Sequence, residues 1–197
     1  MYDFIPYTGK TQPVEDPNLP HLKASSNAVL HLAQTIPSNK NPIIFFDNWF
    51  TSLPILEHLA SQKIWCCGTV RANRLPGIPK GENVDKELEK KGRGSYEELV
   101  SDNTSHEVCY VKWHDNKIVN IVSNFARASP VTVVERYDSK QKKVVDVSCP
   151  DIIRRYNKSM GGVDLADCLI ALYRINLRSK KYYMRLIFHM IDMALVN

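Results

Sequence analysis

Three aspartates stand where metal chemistry could be done. Asp47 follows the run Ile43-Ile44-Phe45-Phe46 directly. It therefore sits where a buried strand stops, which is where open α/β sheets place their chemistry. Asp164 and Asp167 are spaced i, i+3 and project from one face of a helix. Their neighbours Val163, Leu165, Ala166 and Leu169 are apolar or small, so this helix is expected to be partly buried. A carboxylate near a buried face is costly unless it is paired or metal-bound. Two or three such groups suit Mg²⁺ or Mn²⁺, hard cations that prefer oxygen ligands. A metal pair held there could activate an oxygen nucleophile and stabilise the leaving oxygen of a phosphoryl transfer. Plainer readings stand beside this one. Asp47 with Asn48 could start a turn, Asp164 could be a first-turn carboxylate favoured by the helix dipole, and Asp167 could pair with an arginine.

The elements that must position these residues are legible in outline. The spacing Val29, Leu32, Ala33, Ile36 predicts an amphipathic helix from about Ser26, ended by Pro37. Residues 2–8 read as a strand end, and 9–23, with three prolines, as loop. The four-residue apolar run 43–46 suits a strand covered on both faces, as in the middle of a mixed or parallel sheet. A helix follows to about Gln62, with Ser52 as N-cap and Pro54 in its first turn. Residues 64–71 read as another strand. The charged, Gly- and Pro-bearing stretch 72–95 reads as a loop or inserted element outside the core. Strands follow at 107–113 and 117–125 across an Asp115-Asn116 turn, then a hairpin from 131–138 and 142–148. The remainder is helical, at about 151–173 with a break at Gly161-Gly162, and at about 180–197. In that last helix Tyr183, Ile187, Met190 and Ala194 share a face, and Phe188, Ile191 and Leu195 leave little polar surface, which predicts burial. This order of elements fits an α/β fold, a mixed sheet with helices packed on it.

Composition narrows the function classes. With 197 residues, 44% hydrophobic and 24% charged, the chain is neither disordered nor collagen-like. No apolar run approaches the ~20 residues that span a bilayer, and MYDFIPYTGK lacks the basic start and apolar centre of a signal peptide. The net charge of +5 is uneven. Residues 151–197 hold eight Lys and Arg against four Asp, which suits a polyanion such as nucleic acid, or simply a solvated helix face. Cys66, Cys67, Cys109, Cys149 and Cys168 are odd in number with no Cys-x-x-Cys pair. Neither a disulfide framework nor a zinc site is indicated, and reduced, mostly buried thiols of an intracellular protein are expected.

Three blocks of sequence are specific. The first is Asp47-Asn48-Trp49-Phe50-Thr51-Ser52, running into Leu53-Pro54-Ile55-Leu56. The second is Gly68-Thr69-Val70-Arg71, with Asn73-Arg74 and Pro79 after it. The third runs from Tyr156-Asn157-Lys158-Ser159-Met160 through Gly161-Gly162-Val163-Asp164-Leu165-Ala166-Asp167 to Tyr173-Arg174. Together they resemble the piggyBac transposase family, including its transposon-derived members, over nearly the whole chain and in the expected order.

The resemblance implies an RNase H-like core, a mixed sheet with flanking helices and a β-rich insertion between the second and third catalytic aspartates. On this basis residues 1–71 are the first part of that core, lacking its first strand. Residues 72–148 are the insertion and β-rich segment with a returning core strand, and 149–197 the C-terminal helical part. The implied activity is cut-and-paste DNA transposition at TTAA targets through a hairpin intermediate, by a triad of aspartates that binds Mg²⁺ or Mn²⁺. The second catalytic aspartate matches Asp47, the third Asp164, and a further acidic position Asp167. DNA is the implied partner, a dimer on DNA the implied assembly and the nucleus the implied location. In this setting Arg174, Arg178, Lys180 and Lys181 are candidate phosphate contacts. Trp49 either stacks on an unpaired base or is a core aromatic. Arg71 and Arg74 either touch DNA or solvate a loop.

The family's first catalytic aspartate lies upstream of the element matching Tyr7-Thr8-Gly9-Lys10 and has no counterpart in this sequence. The cysteine-rich C-terminal module of many members is also absent. The expectation is a chain truncated at both ends and without catalysis as it stands. A non-catalytic domesticated DNA-binding or interaction protein, or a remnant without function, are the alternatives.

Overall fold

The structure is a computed structural model and describes residues 4, 5, 9, 22, 24–37, 40–75, 78, 82–101, 106–139 and 141–197. The expected strand end at 2–8 and loop at 9–23 lie largely outside these residues. The chain divides into two compact units, one formed by 5–158 and the other built on Ser159–Asn197.

The first unit is organised by a five-stranded mixed sheet. Its strands are β1 (Ile43–Phe46), β2 (Trp65–Thr69), β3 (Tyr96–Ser101), β4 (Val108–His114) and β5 (Ile118–Ser123), in the order β1-β2-β5-β4-β3. β1 and β2 run parallel, and every other pairing is antiparallel. Parallel neighbours need a crossover, and helix α2 (Leu53–Ser61) supplies it.

Side-chain alternation sorts this sheet's residues onto two faces. Phe46, Cys66, Tyr110 and Val122 pack with Val29, Leu30 and Ala33 of helix α1 (Ala24–Ala33) and with Ile55, Leu56 and Leu59 of α2. The neighbouring residues Cys67, Cys109, Val111 and Ile121 turn the other way. There they meet Val147 and Cys149 of a hairpin, β6 (Thr132–Asp138) with β7 (Lys143–Cys149), and Ile152 and Ile153 of helix α4 (Asp151–Ser159). Asn124 ties one end together: its side chain accepts the Cys66 N–H at 2.7 Å and donates to the carbonyls of Leu56 and Ile64.

Several expectations need correction. β1 pairs in parallel but lies at the end of the described strand order, and Ile43 is 47% exposed. Its apolar run therefore does not mark a strand covered throughout. Ser52 occupies the N-cap of α2, but its hydroxyl makes no capping bond and meets the Ser26 hydroxyl at 3.0 Å instead. The stretch 72–95 is not all loop. It holds a 3₁₀ turn at Ala72–Arg74 and a helix, α3 (Glu82–Lys91), and it reaches the core through Leu75 and Leu88. Strand β3 carries no strand signal in its sequence. Its two glutamates hide the alternation, and pairing with β4 over its whole length makes it a strand.

The second unit holds α5 (Gly162–Leu172) and α6 (Tyr182–Val196). Gly161 adopts φ 102° at the break before α5, a left-handed conformation natural to glycine. Among the side chains of these two helices, only Ile170 and Asp192 are buried. Helix α6 is therefore not the buried element its apolar pattern predicted: Tyr183, Ile187, Met190 and Leu195 are exposed. A single neighbouring helix cannot cover a helix that is apolar on nearly all sides. For the same reason α5 is more open than expected, with Val163 and Leu165 exposed. No helix among the described residues is long and apolar enough to cross a membrane.

Candidate active site

Asp47 sits at the C-terminal end of β1, where the backbone leaves the sheet in a tight turn. The turn is held from inside. The Phe50 N–H donates to the Asp47 carbonyl at 3.0 Å, and the fully buried Thr51 hydroxyl donates to the same oxygen at 3.0 Å. Gly68 on β2 lies beside them, paired with Phe46. A Cβ at Gly68 would stand 2.5 Å from Thr51 Oγ1 and 2.8 Å from the Phe46 carbonyl oxygen, so only glycine allows this approach.

The Asp47 carboxylate is exposed and half engaged. Its Oδ1 accepts the Asn48 N–H at 2.6 Å and the Thr69 hydroxyl at 3.3 Å. Its Oδ2 accepts no hydrogen bond among the described residues. Thr69 in turn lies 3.3 Å from the Tyr156 hydroxyl of α4. Burial pushes the Tyr156 phenol up from its ordinary value, the Thr69 bond opposes that shift, and the Asp47 charge adds to it. The turn reading of Asp47 and its availability to a cation are thus both satisfied, by different oxygens.

Trp49 is 56% exposed at the tip of the turn, which excludes the core-aromatic alternative. Arg74 does not merely solvate a loop. Its Nη1 donates to the carbonyls of Asn48 and Trp49 at 2.8 and 2.7 Å, and its guanidinium carbon lies 5.6 Å from the Trp49 ring centre. Arg71 is exposed.

In the second unit, Asp164 lies in the first turn of α5, and both Asp164 and Asp167 are exposed. The burial argument for a metal at these two residues therefore fails. Neither makes an ion pair or side-chain hydrogen bond among the described residues, so the alternative in which Asp167 pairs with an arginine finds no partner there. Arg174, Arg178, Lys180 and Lys181 lie on the connection between α5 and α6, all exposed and none in an ion pair among the described residues. That connection is anchored by the Ile175 N–H, which donates to the buried Asp192 carboxylate at 3.1 Å. Among the described residues no three His, Cys, Asp or Glu side chains converge closely enough to hold a metal ion.

A family model described as transposase IS4 matches residues 1–197. The human piggyBac transposable element-derived protein 3 is 34% identical over 199 residues, covering 98% of this chain and 32% of that protein. The chain belongs to the piggyBac transposase family. A second human relative, piggyBac transposable element-derived protein 2, is 36% identical over 78% of the chain and 25% of its own length. Among solved structures, the cryo-EM structure of a piggyBac transposase synaptic complex with hairpin DNA matches with a TM-score of 0.70 at 23% identity. That match covers 98% of this chain and 36% of the other. It shows the fold, which is RNase H-like: a mixed sheet, flanking helices and a β-rich stretch between Asp47 and Asp164. The chain spans about a third of the length of these piggyBac relatives.

Within this family fold, Thr69 and Tyr156 are the residues that motif reading left without a role. The signal was present, since both lie inside the specific blocks. Nothing local says that a strand end and a helix 87 residues later share a hydroxyl contact.

Proposed function

We propose that this chain is part of a piggyBac-type transposase core that binds DNA and carries carboxylates for divalent-metal chemistry. The observation that carries this reading is Asp47, set at a sheet end with Oδ1 fixed by two donors and Oδ2 open. By the family resemblance Asp47 and Asp164 are assigned as metal carboxylates, with Asp167 three residues after Asp164 as a further acidic ligand, and Mg²⁺ or Mn²⁺ is the cation that such oxygen donors prefer. Such a cation supplies activation of the attacking oxygen and stabilisation of the leaving oxygen in DNA strand cleavage and transfer. The residues supply the rest. Trp49 offers an open ring to an unpaired base. Arg71, Arg174, Arg178, Lys180 and Lys181 offer cations to phosphates and set affinity without reading sequence. TTAA-targeted cut-and-paste transposition, a dimer on DNA and a nuclear location complete the reading. A polypeptide limited to these 197 residues is proposed not to excise, because it offers two of the three catalytic aspartates that the family resemblance implies.

A second reading keeps the fold and the DNA contact without the reaction. The relatives favour it, since both human proteins are by name transposable element-derived. One experiment separates the two. The protein carrying these residues is tested for excision of a TTAA-flanked transposon from a plasmid, alongside Asp47→Asn and Asp164→Asn. DNA binding is measured in parallel across salt concentrations. Excision lost in both variants with binding retained supports the enzyme. Binding without excision in any form supports the second reading. Binding that is absent, or indifferent to salt, overturns both.

A further inference from the structure

Thr69 carries one hydroxyl proton and has two oxygen neighbours, Asp47 Oδ1 and Tyr156 Oη, each at 3.3 Å. An ionised carboxylate can only accept, so the Thr69 proton goes to Asp47. The contact between Thr69 and Tyr156 must then be made with the tyrosine's proton. The chain of donors runs one way, from Tyr156 through Thr69 to Asp47, and each bond polarises the next.

The phenol at the head of this chain is itself pinned. The Tyr156 ring packs edge-on against Phe45 of β1, with centroids 6.5 Å apart, and Phe45 packs on Phe125 at 6.4 Å. At the far end, Oδ1 also holds the Asn48 N–H. The carboxylate therefore has one oxygen fully used and its rotation fixed, which leaves Oδ2 in a set direction.

We infer that Thr69 and Tyr156 are positioning residues that orient the Asp47 carboxylate so that Oδ2 is the oxygen presented to a divalent cation. This rests on the proposed reading of Asp47 as a metal carboxylate. Partners of this kind typically alter metal affinity by about 10- to 100-fold when removed.

The test uses Mn²⁺ alone, titrated into the protein carrying these residues and followed by electron paramagnetic resonance. Amide hydrogen exchange across residues 48–51 is read in the absence of metal. Thr69→Val keeps the side-chain shape and removes the hydroxyl. Thr69→Ser keeps the hydroxyl, and Tyr156→Phe removes only the first donor. We expect Thr69→Val to weaken Mn²⁺ binding by about 10-fold and to speed exchange at residues 48–51. Thr69→Ser should stay within about 2-fold of the parent, and Tyr156→Phe should fall between them. Mn²⁺ affinity and exchange unchanged in Thr69→Val and Tyr156→Phe would overturn the inference. If the parent binds no Mn²⁺ that Asp47→Asn removes, the metal reading fails. Exchange then still decides whether Thr69 holds the turn, and unchanged exchange overturns that too.

Discussion

Arg74 closes the Asp47–Ser52 turn by holding Trp49 twice, through its backbone carbonyl at 2.7 Å and across the face of its ring at 5.6 Å. The same Nη1 takes the Asn48 carbonyl at 2.8 Å. Charged donors to backbone carbonyls contribute about 1.5–3 kcal/mol each when buried, and cation–π contacts at open sites about 0.5–1 kcal/mol. The site is partly open, so the sum is discounted. Arg74→Ala is expected to cost about 1–2 kcal/mol in chemical denaturation. It should also change the emission and quenching of Trp49, identified by its loss in Trp49→Phe. The other two tryptophans are more covered, Trp113 fully, so an unchanged exposed-tryptophan signal would remove Arg74 from this role.

Gly68 should tolerate no side chain. An alanine Cβ would meet Thr51 Oγ1 at 2.5 Å, the Phe46 carbonyl at 2.8 Å and the Phe46 ring at 2.9 Å. Gly68→Ala is expected to cost about 3 kcal/mol, at the upper end of overpacking penalties. Adding Thr51→Ala should recover only part, because the backbone carbonyl cannot move aside. Thermal melts of the single and double variants check this, and full recovery would place the clash at Thr51 alone.

The cysteines should divide four to one in reactivity. Burial pushes the Cys66, Cys67, Cys109 and Cys149 thiols up, Cys67 to about 12 with a Ser123 hydrogen bond pulling the other way. Cys168 is exposed. The thiolate is the reactive form. At pH 8 a thiol reagent should therefore label Cys168 quickly in the native protein and the other four only on unfolding. Mass spectrometry of the labelled peptides decides it.

Asp151 should make the fold acid-sensitive. Burial opposes its charge, but the Arg155 and Arg154 guanidiniums, each at 2.5 Å, outweigh it and hold the carboxyl below its ordinary value of 3.8. A carboxylate with a lowered folded pKa contributes stability that is complete above the unfolded value and lost as pH falls through the folded one. The loss should therefore begin below about pH 4. Both arginines are half exposed, so Asp151→Asn is expected to cost only about 1–2 kcal/mol at pH 7. Its stability should also fall less steeply than the parent's in acid. Equal acid slopes in the two proteins would count against the pair.

Short-range pattern alone determined much of this protein. Apolar spacing located α1, because burial on one face imposes a period that the chain carries visibly. Runs of β-forming residues located β1, β2, β4 and β5, and Ser52 with Pro54 marked the start of α2. The adjacent Cys66 and Cys67 face opposite layers for the same reason. Gly161-Gly162 marked the break before α5, and the specific blocks around Asp47 and Asp164 pointed to the family. Tertiary structure decided what depends on partners distant in sequence. The charged segments 82–91 and 96–101 become helix and strand because Leu88 finds the core and β4 supplies a ladder. Helix α6 keeps its apolar residues exposed because a pattern records what could be buried, not what is at hand to cover it. Arg74 and Thr69 look interchangeable with any surface cation or strand threonine until the fold sets one under Trp49 and the other between Tyr156 and Asp47. Hydrogen bonds and ring contacts act over a few ångströms in space, and only the folded chain brings those atoms within reach.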